Sequence, residues 1–183
     1  MSEIEIGRGK RGNRSWAFDD VAVVPSRRTR DPRDVSTTWH IDAYTFDLPV
    51  LAAPMDSVVS PDTAIAIGKL GGLGVLDLEG LWTRYEDPTA QLAEISKLAP
   101  EEATAAMQRI YAEPIKPELI KERLSYIRKS GVTVAGALSP QNTQNFAKAV
   151  ISAGVDLFVI RGTTVSAEHV SKTREALNLK EFI

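Results

Sequence analysis

No cysteine occurs anywhere in the 183 residues. Disulfides, thiolate metal sites and a cysteine nucleophile are therefore excluded within this chain. Histidine is nearly as scarce: His40 and His169 stand far apart in dissimilar contexts, and no histidine metal centre is expected. Long apolar runs are missing too, since nothing approaches the roughly 18 residues that cross a bilayer. The N-terminus carries charges where a secretory signal would carry its apolar stretch, so the expectation is a cytoplasmic protein. Nor is one sign of charge in excess. A formal net charge of -2 and a pI near 5.8 give no global electrostatic reason for a nucleic acid or an anionic membrane as partner.

What is present is 43% apolar and 25% charged residue, enough for one globular core. From residue 48 onward short β-type runs alternate with longer helical ones, the grammar of βαβ units around a parallel sheet. The runs are LPVLAA (48 to 53), LGVL (73 to 76), VTVAG (132 to 136) and DLFVI (156 to 160). They are apolar without alternation, as befits strands covered on both faces. Ser60-Pro61, Asp87-Pro88 and Ser139-Pro140 each set a capping side chain before a proline at the first helical position. Gly71, Gly131 and Gly154 follow helical runs and suit the left-handed C-terminal position. Ile120, Leu124 and Ile127 recur at helical spacing, as do Phe146, Val150 and Ile151, and both stripes are expected to be core.

Two stretches break this rhythm. Residues 1–47 read as a lead-in segment, and residues 77–131 are too many for one ordinary crossover, with helices expected near 88–99, 101–112 and 117–130. At the C-terminus, Leu179, Phe182 and Ile183 fall at helical positions with no cap after them. An open parallel edge would be left by four such units. The expected architecture is therefore α/β, with residues 48–183 supplying the first four units of a TIM (β/α)8 barrel.

Three motifs invite a functional reading and do not earn it. GRGKRG at 7–12 matches G-x-G-x-x-G, but a dinucleotide fingerprint needs a strand before it and a helix after it, and a flexible basic tail is favoured. RRTRDPR at 27–33 is diluted by Asp31 and Asp34 and has no interleaved aromatics. Trp82, Arg84 and Tyr85 in EGLWTRYEDP read as packing residues before they read as a ligand platform. By contrast the break after LPVLAA falls at the C-terminal end of a strand, where parallel barrels carry their chemistry. Pro54, Met55, Asp56 and Ser57 then either line a site or make a plain strand-to-helix turn.

Four stretches carry a resemblance: AFDDVAVVPSRRT (17 to 29), LPVLAAPMDSV (48 to 58), IAIGKLGGLGVL (65 to 76) and AGVDLFVI (153 to 160). In this order they resemble the IMP dehydrogenase and GMP reductase family of purine nucleotide oxidoreductases. The likeness is greatest to the short branch of actinobacteria and cyanobacteria in which EGLWTRYEDP is familiar. Residues 77–131 stand where typical IMP dehydrogenases carry paired CBS modules and are too few for that pair. The resemblance implies a cytoplasmic homo-oligomer, tetrameric in the family, that binds a purine nucleotide (IMP or GMP) across the barrel mouth. It further implies a cysteine attacking the purine, with hydride passing from IMP to NAD to give XMP and NADH.

Carried over residue by residue, Ala53 and Met55 match positions lining the nucleotide, and Asp56 matches an acidic neighbour that organises the loop. Gly162 and Thr163 match cofactor contacts. Arg161 replaces the aspartate that holds the nicotinamide ribose in the family. A guanidinium cannot accept hydrogen bonds from ribose hydroxyls but can bind a phosphate, which opens NADP as an alternative to NAD. The family's cysteine loop, monovalent cation site and flap belong to the half not in this chain, so no catalytic residue is assigned here. Two other readings stand beside the dehydrogenase: a GMP reductase using NADPH, and a non-catalytic nucleotide-binding half-barrel that pairs with another chain.

Overall fold

A computed structural model describes residues 3–25, 27–162, 177 and 179–182. Contacts divide the chain into two units, Met1–Ser36 and Thr37–Ile183.

In the first unit β1 (Glu3–Gly7) and β2 (Lys10–Asn13) pair antiparallel, with Glu5 opposite Arg11. The chain reverses at Arg8 and Gly9, the latter at φ +70°. GRGKRG is thus a turn and a strand, not the flexible tail expected, because backbone pairing with the IEI run orders it. Among the described residues of this unit, short 3-10 turns follow at Phe18–Asp20 and Pro32–Asp34, the second capped by Asp31, which accepts the Arg33 N–H at 3.2 Å.

The second unit begins with β3 (Trp39–Ile41) and β4 (Tyr44–Phe46), an antiparallel hairpin whose Trp39 and Phe46 rings stack 4.9 Å apart. It continues through β5 (Leu51–Ala52), α1 (Pro61–Lys69), β6 (Leu73–Asp77), α2 (Thr89–Ile95), α3 (Pro100–Ile110), α4 (Pro117–Lys129), β7 (Ala135–Leu138), α5 (Pro140–Ser152), β8 (Leu157–Ile160) and α6 (Leu179–Phe182). Four strands form one parallel sheet in the order β5-β6-β7-β8. The β3–β4 hairpin packs against this sheet.

Side chains alternate between two cores. Leu76, Val134, Leu138 and Phe158 face the helices, where Ile120, Leu124 and Ile127 of α4 are fully buried as the spacing predicts. Leu73, Val75, Ala135, Ala137 and Val159 point the other way, onto Phe46, Trp39 and Tyr44 of the hairpin. Coverage on both faces explains why the strands read as unbroken apolar runs. Of the α5 stripe, Val150 is buried but Ile151 is 60% exposed, because it falls just off the packed face.

Ser60 and Ser139 cap α1 and α5 as expected, accepting the N–H of Thr63 (3.0 Å) and Asn142 (3.3 Å). At α2 the device slips by one residue: Pro88 itself is the cap, and the Asp87 carboxylate accepts the N–H and hydroxyl of Thr89. Gly71, Gly131 and Gly154 all have φ between +76° and +89°, the left-handed ends that the sequence calls for. No helix among the described residues is long and apolar enough to cross a membrane.

Candidate functional site

Proline at 54 ends the β5 run, and a tight turn follows in which the Met55 carbonyl accepts the N–H groups of Val58 and Val59 at 2.9 Å. Val59 is fully buried and Ser60 caps α1, so both ends of the turn are fixed. Between them Met55, Asp56 and Ser57 project into a cavity of about 550 Å³. Asp77 at the end of β6 and Arg161 just after β8 complete its floor. Leu92 and Ile95 of α2 with Ser96 just after it, and Met107 of α3 with Tyr111 just after it, form the opposite wall.

Asp56 ties three segments together. One oxygen, Oδ2, accepts the Leu81 N–H at 2.9 Å and the Tyr111 hydroxyl at 2.6 Å. The other lies against Gly80, where a Cβ would come within 2.2 Å of it, so only glycine leaves room for the carboxylate. Burial, followed by the hydrogen bond to the Asp56 carboxylate, pushes the Tyr111 phenol well above its ordinary value. It therefore remains a protonated donor at every physiological pH.

Asp77 is buried and doubly held. Its Oδ1 accepts the Glu79 N–H at 2.9 Å and its Oδ2 the Arg161 Nη2 at 2.9 Å. Arg161 donates its second terminal nitrogen to the Pro54 carbonyl at 2.7 Å, joining the ends of β5, β6 and β8. Burial raises the Asp77 carboxyl above its ordinary value despite the opposing effects of the Glu79 N–H and Arg161.

The wall is anchored from behind. Arg84 donates to the carbonyls of Glu79 (2.9 Å), Tyr111 (2.9 Å) and Glu113, and the Tyr85 hydroxyl to that of Ile110 at 2.7 Å. Arg123 of α4 reaches the Trp82 carbonyl at 3.1 Å and that of Glu86. The EGLWTRYEDP residues therefore brace the excursion, as packing residues would, and are not among the described residues that line the cavity.

Met55, Asp56 and Arg161 line the same cavity. Ala53 adjoins the turn, its carbonyl accepting the Met55 N–H at 2.8 Å, but its side chain is not part of the described lining. Gly162 follows β8 in exposed irregular backbone, and Thr163 lies outside the described residues. His40 pairs with the Thr45 hydroxyl at 3.0 Å on the hairpin, and His169 also lies outside the described residues. Among the described residues no group of three His, Cys, Asp or Glu side chains could hold a metal ion.

Asp77 and Tyr111 were missed. The first had a signal, an acid directly after LGVL at a strand end; the second had none, because only the return of α3 brings it to Asp56. The described lining offers two carboxylates, a guanidinium, a phenol and two hydroxyls beside apolar side chains, an arrangement suited to binding a polar, partly flat ligand.

Residues 15–181 match the sequence profile described as IMP dehydrogenase / GMP reductase domain. An uncharacterized oxidoreductase of Mycolicibacterium smegmatis is 47% identical over 185 residues, covering 98% of this chain and 49% of that protein. Inosine-5'-monophosphate dehydrogenase of Methanocaldococcus jannaschii is 35% identical over 63 residues, 34% of this chain and 13% of the enzyme. Among solved structures, an IMP dehydrogenase/GMP reductase-like protein from Corynebacterium glutamicum superposes with a TM-score of 0.85 at 47% identity, over 98% of this chain and 48% of that one. The chain spans about half the length of these two 47%-identical relatives.

Proposed function

Because this chain belongs to the IMP dehydrogenase / GMP reductase family, we propose that the complete protein oxidises IMP to XMP with NAD, on a (β/α)8 barrel of which these residues form the first four units. The observation that carries this reading is the strand-end cavity, with Met55 and Asp56 beneath one side and Arg161 on the other. Parallel barrels place their ligands at this end of the strands. Met55 offers an apolar surface to the purine or ribose, and Asp56 fixes the turn that carries it. The reaction needs a thiol, and this chain has none. Loss of a nucleophile costs about 10⁴ to 10⁶ in rate, so residues 1–183 alone are inactive.

NAD accepts the hydride when bound, and the donor set here fits its nicotinamide riboside. The ribose hydroxyls need acceptors, and the acid missing at position 161 is replaced by the Asp77 carboxylate from the end of β6, two strands away in the sheet. Arg161 spends two N–H groups on Asp77 and the Pro54 carbonyl. Its charge is largely offset, which supports NAD over NADP. A homo-oligomeric cytoplasmic enzyme belongs to the same proposal.

The test is turnover by the complete protein, followed by nicotinamide absorbance and nucleotide chromatography. IMP and NAD should yield XMP and NADH. Consumption of NADPH with GMP would replace the dehydrogenase with a reductase. Tight nucleotide binding without either reaction would leave a non-catalytic binder.

A further inference from the structure

The α2–α3 hairpin turns one flank of the cavity into an apolar wall. Leu92 and Ile95 are half-buried there, while Met107 on the hairpin and Met55 on the floor are 41% and 47% exposed, with thioethers available to whatever fills the space between. Methionine suits a flat ring: its sulfur is polarizable, and it packs against aromatic faces and edges without fixed shape. The floor is polar and unbalanced in charge. Asp56 and Asp77 face a single cation, Arg161, already paired to Asp77 at 2.9 Å. Among the described lining residues one negative charge is left in excess. An anionic group entering here meets repulsion across a partly desolvated space, and a cationic ring meets attraction.

We infer that the α2–α3 hairpin is the selectivity wall of this cavity. Met107 and Leu92, across the cavity from the nucleotide-facing Met55, hold the flat face of a cationic heteroaromatic ring above the Asp56 and Asp77 carboxylates. If the function proposed above holds, that ring is the oxidised nicotinamide. The reduced ring is uncharged and gains nothing from the carboxylates, so the same wall favours binding of the oxidant over release-competent product. Tyr111 acts as a positioning residue: its hydrogen bond to Asp56 fixes the end of α3 to the floor and with it the height of the wall.

Met55 and Met107 both line the cavity, so their methyl groups report directly on what enters it. The complete protein is labelled with ¹³C at methionine methyls, and the two signals are assigned with Met55→Leu and Met107→Leu. Three probes share a pyridine ring and differ in charge: 1-methylnicotinamide (cation), nicotinamide (neutral) and nicotinate (anion). Both methyls should shift with the cation, with affinity about tenfold above that for nicotinamide, and stay still with nicotinate. Met107→Lys should weaken the cation about tenfold. Movement of Met55 alone would overturn the wall, and so would an equal response to nicotinate or no response to any ring. Turnover separates the two proposals. Both methyls answering the cation in a protein that does not oxidise IMP would sink the function and keep the wall; turnover with a silent Met107 would do the reverse.

Discussion

An arginine meets an aspartate at each end of the parallel sheet, with nearly the same separation: Arg128 and Asp156 at 3.0 Å before β8, Arg161 and Asp77 at 2.9 Å after it. Their surroundings differ. Asp156 has both oxygens engaged, one by Arg128 and the Tyr44 hydroxyl (3.3 Å), the other by the Val134 N–H at 2.8 Å. These bonds lock α4, the β3–β4 hairpin and the approach to β7 around one carboxylate. Asp77 is equally buried in bonds, but its partner Arg161 opens onto the cavity. In (β/α)8 barrels the N-terminal end of the strands serves stability and the C-terminal end carries the ligand sites, and the two pairs stand at these two ends of the sheet.

Substitutions at the two ends should separate these roles. Asp156→Ala should have the largest effect, a loss of about 2 to 3 kcal/mol in urea denaturation, because it orphans a buried N–H and frees Arg128. Ligand affinity should be untouched, and a weakened ligand would erase the contrast. Gly80→Ala comes next, at about 1 to 2 kcal/mol, since its Cβ would displace the Asp56 carboxylate. Unlike the first it should also lower ligand affinity in calorimetry. Arg161→Ala should cost less than about 1 kcal/mol, its side chain being 41% exposed, yet change ligand affinity by about tenfold. A large stability loss there would make both pairs structural.

The smallest expected effect is a pH dependence. Asp77 binds its proton more tightly folded than unfolded. Its contribution is therefore fully present below the ordinary value of 3.8 and lost as pH rises through the raised folded value. Relative to Asp77→Asn, the wild-type protein should lose stability as pH rises through that window. An opposite slope would mean that Arg161 outweighs burial.

Much of this contrast could be read before the fold was known. The apolar runs located β6 and β8 within a residue, because a strand covered on both faces has no polar position to blur its limits. The VTVAG run (132 to 136) starts three residues ahead of β7 and ends two residues short of it. VTV has the higher β-propensity, but the strand is the AGAL that follows, where the close approach of Leu78 to Gly136 selects small residues: a Cβ there would lie 2.7 Å from the leucine. Packing against a neighbour overrode propensity, and no local pattern carries that information. Strand-end logic put Met55 and Asp56 at the end of β5 but left open whether they line a site or make a plain turn. The Asp77 partner of Arg161 and the Tyr111 partner of Asp56 were not legible, since each pair joins residues that only the folded chain brings side by side.

Glu79 has a bearing on how this protein handles negative charge. Its carboxylate accepts the Ser139 N–H and, at 2.7 Å, the Asn142 side-chain amide, at the first turn of the thirteen-residue helix α5. A helix start at the C-terminal side of a parallel sheet is a natural berth for phosphate. Here the protein has moored an anion of its own in it. With the Glu79 carboxylate in place, the start of α5 repels a phosphate group instead of receiving one.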